Sequence, residues 1–391
     1  MTASTDRAPG DREVVVTGFG VHTAFGTGAE VTRRGLFAGV PAFVPMTRFD
    51  ASPYRTDMAA TNGRSTPDAL RDVLGDCAED AVAMAGLPPG GEAAVLVGTS
   101  GDFSALTRFW REPTGAADVT ETVPGRQADL LAERLGVSGP RLAFTNACVA
   151  SSTAIIHACR MIASGRIETA VCGGAYLVEE ETFAKFDSGR AFSRDGMVRP
   201  FSTDRSGLLL GDGAAAIVLE SGESARRRGA VVLAAVAGWG AASDAHHISR
   251  PHPDGAGLVS AALQALRRAG DPDGSRIDYV NAHGTATKFN DTAETRGLHR
   301  VFGTRAGKVP ISSTKSLTGH PLEAAGVVEF VITLLALTDG RLPPTAGFTA
   351  ADPECDLDYV PNQSRQADVR RALTVNAAFG GANTALVLER R

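Results

Sequence analysis

Short β-branched, apolar runs alternate along this chain with longer Ala- and Leu-rich stretches whose apolar positions recur at helical spacing. The first pattern predicts strands at Val14–Gly18, Ala93–Val97, Thr169–Cys172, Ala214–Leu219, Val231–Val236, Tyr279–Ala282 and Leu373–Asn376. The second predicts helices over Pro67–Ala85, Gln127–Leu135, Ser152–Ser164, Ser221–Arg228, Gly257–Ala269, Asp291–Phe302 and Glu323–Leu337. Apolar strands interleaved with amphipathic helices describe an α/β protein with buried central strands. No Pro/Ser-rich linker cuts the chain. The irregular stretches Arg190–Gly207 and Ser243–Gly255 carry turn formers, and the second is taken as the boundary between two halves, 1–245 and 246–391. No short repeat is visible, which leaves a duplicated fold open.

Composition narrows the class. The 391 residues are 43% hydrophobic and 21% charged, values of a globular chain with one large fold or two fused halves. No apolar run reaches the ~18 residues a membrane span needs. The N-terminus has no positive region followed by an apolar core, so a frayed lead-in of about a dozen residues and a cytoplasmic location are expected. A net charge of −5 gives no support to nucleic-acid binding. The five cysteines lack CxxC spacing, so neither a zinc site nor a disulfide framework is expected.

Candidate chemistry gathers at strand-to-helix turns. In Thr145-Asn146-Ala147-Cys148-Val149-Ala150-Ser151-Ser152, Cys148 follows the apolar run Leu142–Phe144 and stands at the start of a helix. Free backbone N–H groups and the helix dipole there favour a thiolate, which attacks and leaves thioesters well. The same geometry offers an N–H to a tetrahedral oxyanion. Cys77, Cys159 and Cys172 read as packing residues. His283, in Asn281-Ala282-His283-Gly284-Thr285-Ala286-Thr287, stands at a strand end. His320, in Ser313-Thr314-Lys315-Ser316-Leu317-Thr318-Gly319-His320, repeats that layout with Lys315 before it. Two imidazoles aimed at a thioester oxygen would stabilise the enolate formed when a malonyl group decarboxylates. A nearby ammonium would fix histidine protonation. Asp291 and Glu294 could pair with Lys315 or serve as an ordinary acidic first turn. The loop Asn376-Ala377-Ala378-Phe379-Gly380-Gly381-Ala382-Asn383 lies between two strands; its glycines permit close approach of a ligand, and Phe379 could gate the cysteine.

Taken in order, Asn146-Ala147-Cys148, His283-Gly284-Thr285-Ala286-Thr287, Lys315-Ser316-Leu317-Thr318-Gly319-His320 and Phe379-Gly380-Gly381 resemble the four signatures of β-ketoacyl synthases of the elongating Cys-His-His class. Val16-Thr17-Gly18, Arg199-Pro200-Phe201, Gly211-Asp212-Gly213-Ala214 and Asp356-Leu357-Asp358-Tyr359-Val360-Pro361 support it, and the likeness covers roughly residues 12–390. The resemblance implies a thiolase-like fold of duplicated halves in a five-layered αβαβα stack, usually dimeric. It implies decarboxylative Claisen condensation of an acyl group on Cys148 with malonyl-acyl-carrier protein. His283 and His320 would position and decarboxylate the extender, supported by Lys315 with Glu294. Thr285 and Thr287 would contact the phosphopantetheine arm, with Gly380, Gly381 and Asp291 in the same substrate-binding set. The amides of Cys148 and Phe379 would form the oxyanion hole. The implied cofactor, phosphopantetheine, is carried by the acyl carrier protein and not by this chain. The implied partners are that carrier and a second copy or a ketosynthase-like chain-length factor, with no nucleic acid or membrane.

Some positions depart from the family pattern. Glu323 stands where the family usually has Gly, and Ala377-Ala378-Phe379 where it commonly has Phe-Gly-Phe. Gly63–Asp72 carries only Arg64 and Arg71 where relatives present a denser basic patch, so carrier docking is expected at other arginines such as Arg205 or Arg226–Arg228. Val123–Arg134 resembles the acyl-pocket and dimer segment but is more polar, with Arg126, Gln127 and Asp129. These departures favour specialised type II polyketide or polyene assembly over housekeeping fatty-acid synthesis. The competing readings are a noncatalytic, chain-length-shaping partner subunit, which the presence of Cys148 disfavours, and a thiolase-like acyltransferase.

Overall fold

Val14–Thr23 is buried at every position and forms the first strand, β1. In the computed structural model, which describes residues 11–63, 69–111 and 119–391, it leads a series of alternating helices and strands. The predicted lead-in and Arg64 fall largely or wholly outside the described residues. After β1 come α1 (Ala69–Ala85), β2 (Ala94–Gly98), α2 (Phe103–Arg111), α3 (Pro124–Leu135), β3 (Arg141–Phe144), α4 (Ala150–Ala163), β4 (Thr169–Tyr176) and β5 (Gly213–Ser221). The second series is β6 (Ala234–Ser243), α5 (Ala256–Arg268), β7 (Tyr279–Asn281), α6 (Lys288–Phe302), β8 (Ile311–Ser312), α7 (Ala325–Asp339), β9 (Arg371–Ala377) and β10 (Ala382–Glu389).

Strand order bears out the duplicated halves that the resemblance implies. The first series runs β1-β5-β4-β2-β3, with two antiparallel pairings followed by two parallel ones. The second runs β6-β10-β9-β7-β8 with the same succession. The two join where Val15 and Val16 of β1 meet Ala235 and Ala234 of β6. Glycines repeat the correspondence. A Cβ at Gly18 or Gly20 of β1 would lie 2.1 Å from a carbonyl oxygen of α1, and one at Gly238 or Gly240 of β6 would lie 2.0 or 2.1 Å from a carbonyl of α5. Each strand therefore lets its covering helix press onto the backbone. Those glycines also explain why the prediction ended this strand at Val236, whereas β6 continues through Gly238-Trp239-Gly240.

Helices α4 and α7 pack together between the two halves of the sheet, while α1 and α3 cover one outer face and α5 and α6 the other. This is the five-layered αβαβα arrangement. Buried at every position from Ala325 to Leu337, α7 is helical without amphipathicity because it contacts strands and α4 on all sides. Among the described residues no helix is long and apolar enough to cross a membrane.

The starts of the two central helices touch. Val327 N–H donates to Ser151 Oγ at 3.0 Å, and a Cβ at Gly326 would lie 2.5 Å from Ser152 N. Only glycine permits this approach, which brings the turns preceding the two helices side by side. Gly326→Ala is expected to cost about 1–3 kcal/mol, as overpacking of a filled core does; the urea midpoint measures it, and an unchanged midpoint would show that the contact is slack.

Candidate active site

Cys148 follows β3 and directly precedes α4. The chain turns through Ala147 at φ 52°, a left-handed conformation that a non-glycine residue adopts only when its surroundings enforce it. His320 precedes α7 after β8, at the topologically equivalent place in the second series, and Leu322 beyond it is also left-handed at φ 37°. His283 follows β7. All three side chains are buried and line one cavity of about 460 Å³, together with Thr285, Thr287 and Phe379. The imidazoles lie edge to face, ring centroids 5.4 Å apart and planes at 83°. Both His Nδ1 atoms are buried without a hydrogen-bond partner among the described residues.

The other expected residues stand behind this wall. Glu294 accepts the N–H groups of His283 at 2.7 Å and Gly284 at 2.8 Å, and so fixes the turn that presents His283. Asp291 accepts the N–H groups of Phe201 at 2.8 Å and Thr285 at 3.2 Å. Lys315 is buried, and its ion-pair partner is Glu329 of α7, not Asp291 or Glu294. Asn376 donates a second hydrogen bond to Glu329. Glu329 escaped the sequence reading, although a lone carboxylate inside the apolar run of α7 was a signal, because a buried lysine demands a buried acid. Gly380 and Gly381 adopt φ of 83° and 81° and turn the loop behind Phe379; they do not line the cavity. Phe379 is 54% exposed and stacks on Phe186 with centroids 6.0 Å apart.

Electrostatics set the resting state. Burial first, then the charge of Lys315, pushes both imidazoles well below the usual histidine range, so both are neutral at pH 7. Burial pushes the Cys148 thiol up to about 12; the Glu323 carboxylate adds to the shift and Lys315 opposes it. Desolvation thus outweighs the helix start, and the thiolate expected from sequence gives way to a resting thiol. Neutral imidazoles beside it can take and return its proton, and can donate N–H to a developing oxyanion.

The two sets of arginines expected to meet a carrier differ in place. The Arg205 side chain is only 3% exposed and pairs with Asp352, with Asp291 3.9 Å away, so it belongs to the cavity wall. Arg226–Arg228 lie beyond the Ser221 end of β5, whereas Gly213, beside Tyr176, marks the Cys148 end. That separation is on the order of 25 Å of strand. The exposed cations on the cavity wall are Arg190, Arg250 and Lys288, and Arg250 lies 4.9 Å from the Phe289 ring. Val123–Arg134 also stands apart from the pockets near Cys148. Arg126 pairs with Glu133 and Asp129 with Arg141, and α2 lines a separate cavity that also holds Glu323.

Residues 11–225 match the family model for the β-ketoacyl synthase N-terminal domain, and residues 233–349 that for the C-terminal domain. The chain belongs to the β-ketoacyl synthase family. It is thus an acyl-transferring condensing enzyme with the thiolase-like fold. It is 33% identical to 3-oxoacyl-[acyl-carrier-protein] synthase 2 of Coxiella burnetii, over 97% of this chain and 99% of the other. It is 35% identical to the tetracenomycin polyketide synthase ketoacyl synthase alpha subunit of Streptomyces glaucescens, over 97% of each. The solved ishigamide ketosynthase/chain length factor superposes with a TM-score of 0.89 at 34% identity, covering 97% of this chain and 100% of that one.

Two predictions follow from how this synthase holds its buried charges. Glu329→Leu leaves Lys315 buried and unpaired and is expected to cost about 3–5 kcal/mol. The double change Lys315→Met with Glu329→Leu should recover most of that in urea unfolding, and equal losses in both would contradict it. Burial raises Glu294 from 4.5 to about 7 and Asp291 from 3.8 to about 6. Between these limits the folded state holds protons that the unfolded chain has lost, so their contribution to stability falls as pH rises through that window. Urea midpoints at pH 5 and pH 7 should therefore decline, and Glu294→Gln should flatten the decline.

Proposed function

We propose that this synthase condenses an acyl group held on Cys148 with a malonyl unit delivered by an acyl carrier protein. The observation that carries the reading is that Cys148, His283 and His320 line one cavity although 135 and 37 residues separate them in turn. In the first step the Cys148 sulfur attacks the acyl thioester, its proton passes by way of an imidazole to the departing carrier thiolate, and the acyl group moves to Cys148. In the second, the bond between the malonyl carboxylate and its neighbouring carbon breaks and carbon dioxide leaves. The resulting enolate oxygen accepts hydrogen bonds from His283 and His320. The enolate carbon then attacks the acyl-Cys148 carbonyl, whose oxyanion is held by the amides of Cys148 and Phe379. Collapse releases the cysteine thiolate, which takes up a proton, and leaves a β-ketoacyl thioester on the carrier.

Neutral imidazoles suit the second step. A protonated pair beside Lys315 would crowd three positive charges into a buried site, whereas neutral N–H groups stabilise the enolate without one. Lys315 and Glu294 act by positioning. Thr285 and Thr287 receive the phosphopantetheine arm along the cavity wall, and Arg190, Arg250 and Lys288 favour an acidic carrier at its mouth. The partner chain is a second copy or a ketosynthase-like subunit. Support for such a neighbour comes from the edge position of β3 in the sheet and from Trp110, 73% exposed, on nearby α2. The pathway is specialised polyketide or polyene assembly, a reading that the Glu323 and Ala377-Ala378 departures favour.

Separating the half-reactions tests these roles. Cys148→Ala should abolish product yet still release carbon dioxide from malonyl-carrier protein, whereas His283→Ala and His320→Ala should each slow release by roughly 100-fold or more. Release at the wild-type rate from both histidine variants would overturn the assignment.

A further inference from the structure

A second cavity, of about 330 Å³, is lined by Ser100, Asp102, Phe103, Tyr176 and Glu323 among others. Glu323 links it to Cys148. The turn Leu322–Ala324 packs directly on the turn Ala147–Val149, and the Glu323 carboxylate is close enough to act on the Cys148 thiol. Ser100 Oγ donates to Glu323 Oε1, and the Glu323 residue is only partly buried. Two polar groups of the same wall are buried and unmatched among the described residues. Asp102 accepts from Ser104 through Oδ1 only, and its Oδ2 is buried without a partner. The Tyr176 hydroxyl is buried without a partner as well. Asp102 is 3% and Tyr176 6% exposed, so bulk water does not satisfy them.

The place of Glu323 beside both Cys148 and the second cavity makes that cavity a candidate for the far end of an acyl chain carried on Cys148. A plain hydrocarbon there would strip water from the carboxylate and supply nothing in return, whereas a hydroxyl or amino group would donate to it. We propose that Glu323 determines specificity, selecting acyl groups whose chain carries a hydrogen-bond donor and disfavouring saturated hydrocarbon chains of the same length. This rests on the reading that Cys148 accepts the acyl group. The substrate class is then a partly functionalised acyl chain, so the reaction supplying it is one that leaves a hydroxyl or amino group on the growing chain.

The test compares initial rates of Cys148 acylation, by intact-protein mass spectrometry, from carrier-bound chains of one length: saturated, hydroxylated and amino-substituted. The wild type should prefer at least one donor-bearing chain over the saturated chain by about 10-fold, the selectivity expected of a partly buried acceptor that would otherwise go unpaired. Glu323→Gly should collapse that ratio toward one. Glu323→Gln, which keeps the volume and an acceptor, should retain part of it and guards against a glycine variant that does not fold. Because Glu323 also acts on the thiol, rates for all chains should rise in both variants, and the ratio between chains is the readout. Preference for the amino chain alone would assign the site to a cation, and for the hydroxylated chain to a neutral donor; either supports the proposal. Equal wild-type rates for all three chains, or a donor preference unchanged in Glu323→Gly, would overturn it while leaving the ketosynthase reading intact. No acylation of the folded wild type by any chain would overturn both.

Discussion

The ammonium of Lys315 is buried in the middle of the molecule, and much of the site follows from how that charge is met. An unpaired ion there would cost several kcal/mol. Glu329 answers it from α7 and is itself held by Asn376 near the end of β9. One ion pair therefore ties the turn that leads to His320, the central helix behind it and the strand that leads to Phe379. Burial pushes both imidazoles down, the same charge adds to that shift, and it draws the Cys148 thiol down against its burial.

Duplication explains why the parts converge. Cys148 and His320 occupy equivalent turns before the two central helices, which touch at Gly326 and Ser152. His283 follows β7, and the equivalent turn after β2 carries Ser100, which holds Glu323. The first series thus supplies the nucleophile and part of the second cavity's wall, while the second series supplies the histidines. The left-handed Ala147 and Leu322 are the strain stored where the turns must expose their side chains.

The α/β class, the strands and the long helices were legible because apolar periodicity is strong in buried elements. The nucleophile turn, the two histidine turns and the Phe379 loop were legible because each joins a recognisable strand to a distinctive short motif. Duplication was legible through the family resemblance and not through any repeat, since it resides in strand order and pairing, with only Gly18/Gly20 and Gly238/Gly240 leaving a trace in sequence. The partner of Lys315 was not legible: Asp291 and Glu294 stand nearer in the chain to His283, yet both carboxylates accept backbone N–H groups and Glu329 takes the ammonium. The fate of Cys148 also needed coordinates, because a helix start favours thiolate while burial, which sequence does not measure, opposes it. Arg205 shows the same limit, a surface arginine by composition and a wall residue by fold.

The central claim is that Cys148 is the acyl acceptor, and covalent loading tests it most directly. Purified protein, alone and co-expressed with a ketosynthase-like subunit, would be incubated with a panel of acyl-carrier proteins and weighed intact beside Cys148→Ala. The account predicts a mass increase equal to one acyl group in place of one hydrogen, absent from the variant and discharged on addition of malonyl-carrier protein. A shift that persists in Cys148→Ala, or no shift in folded protein under either condition, would contradict it.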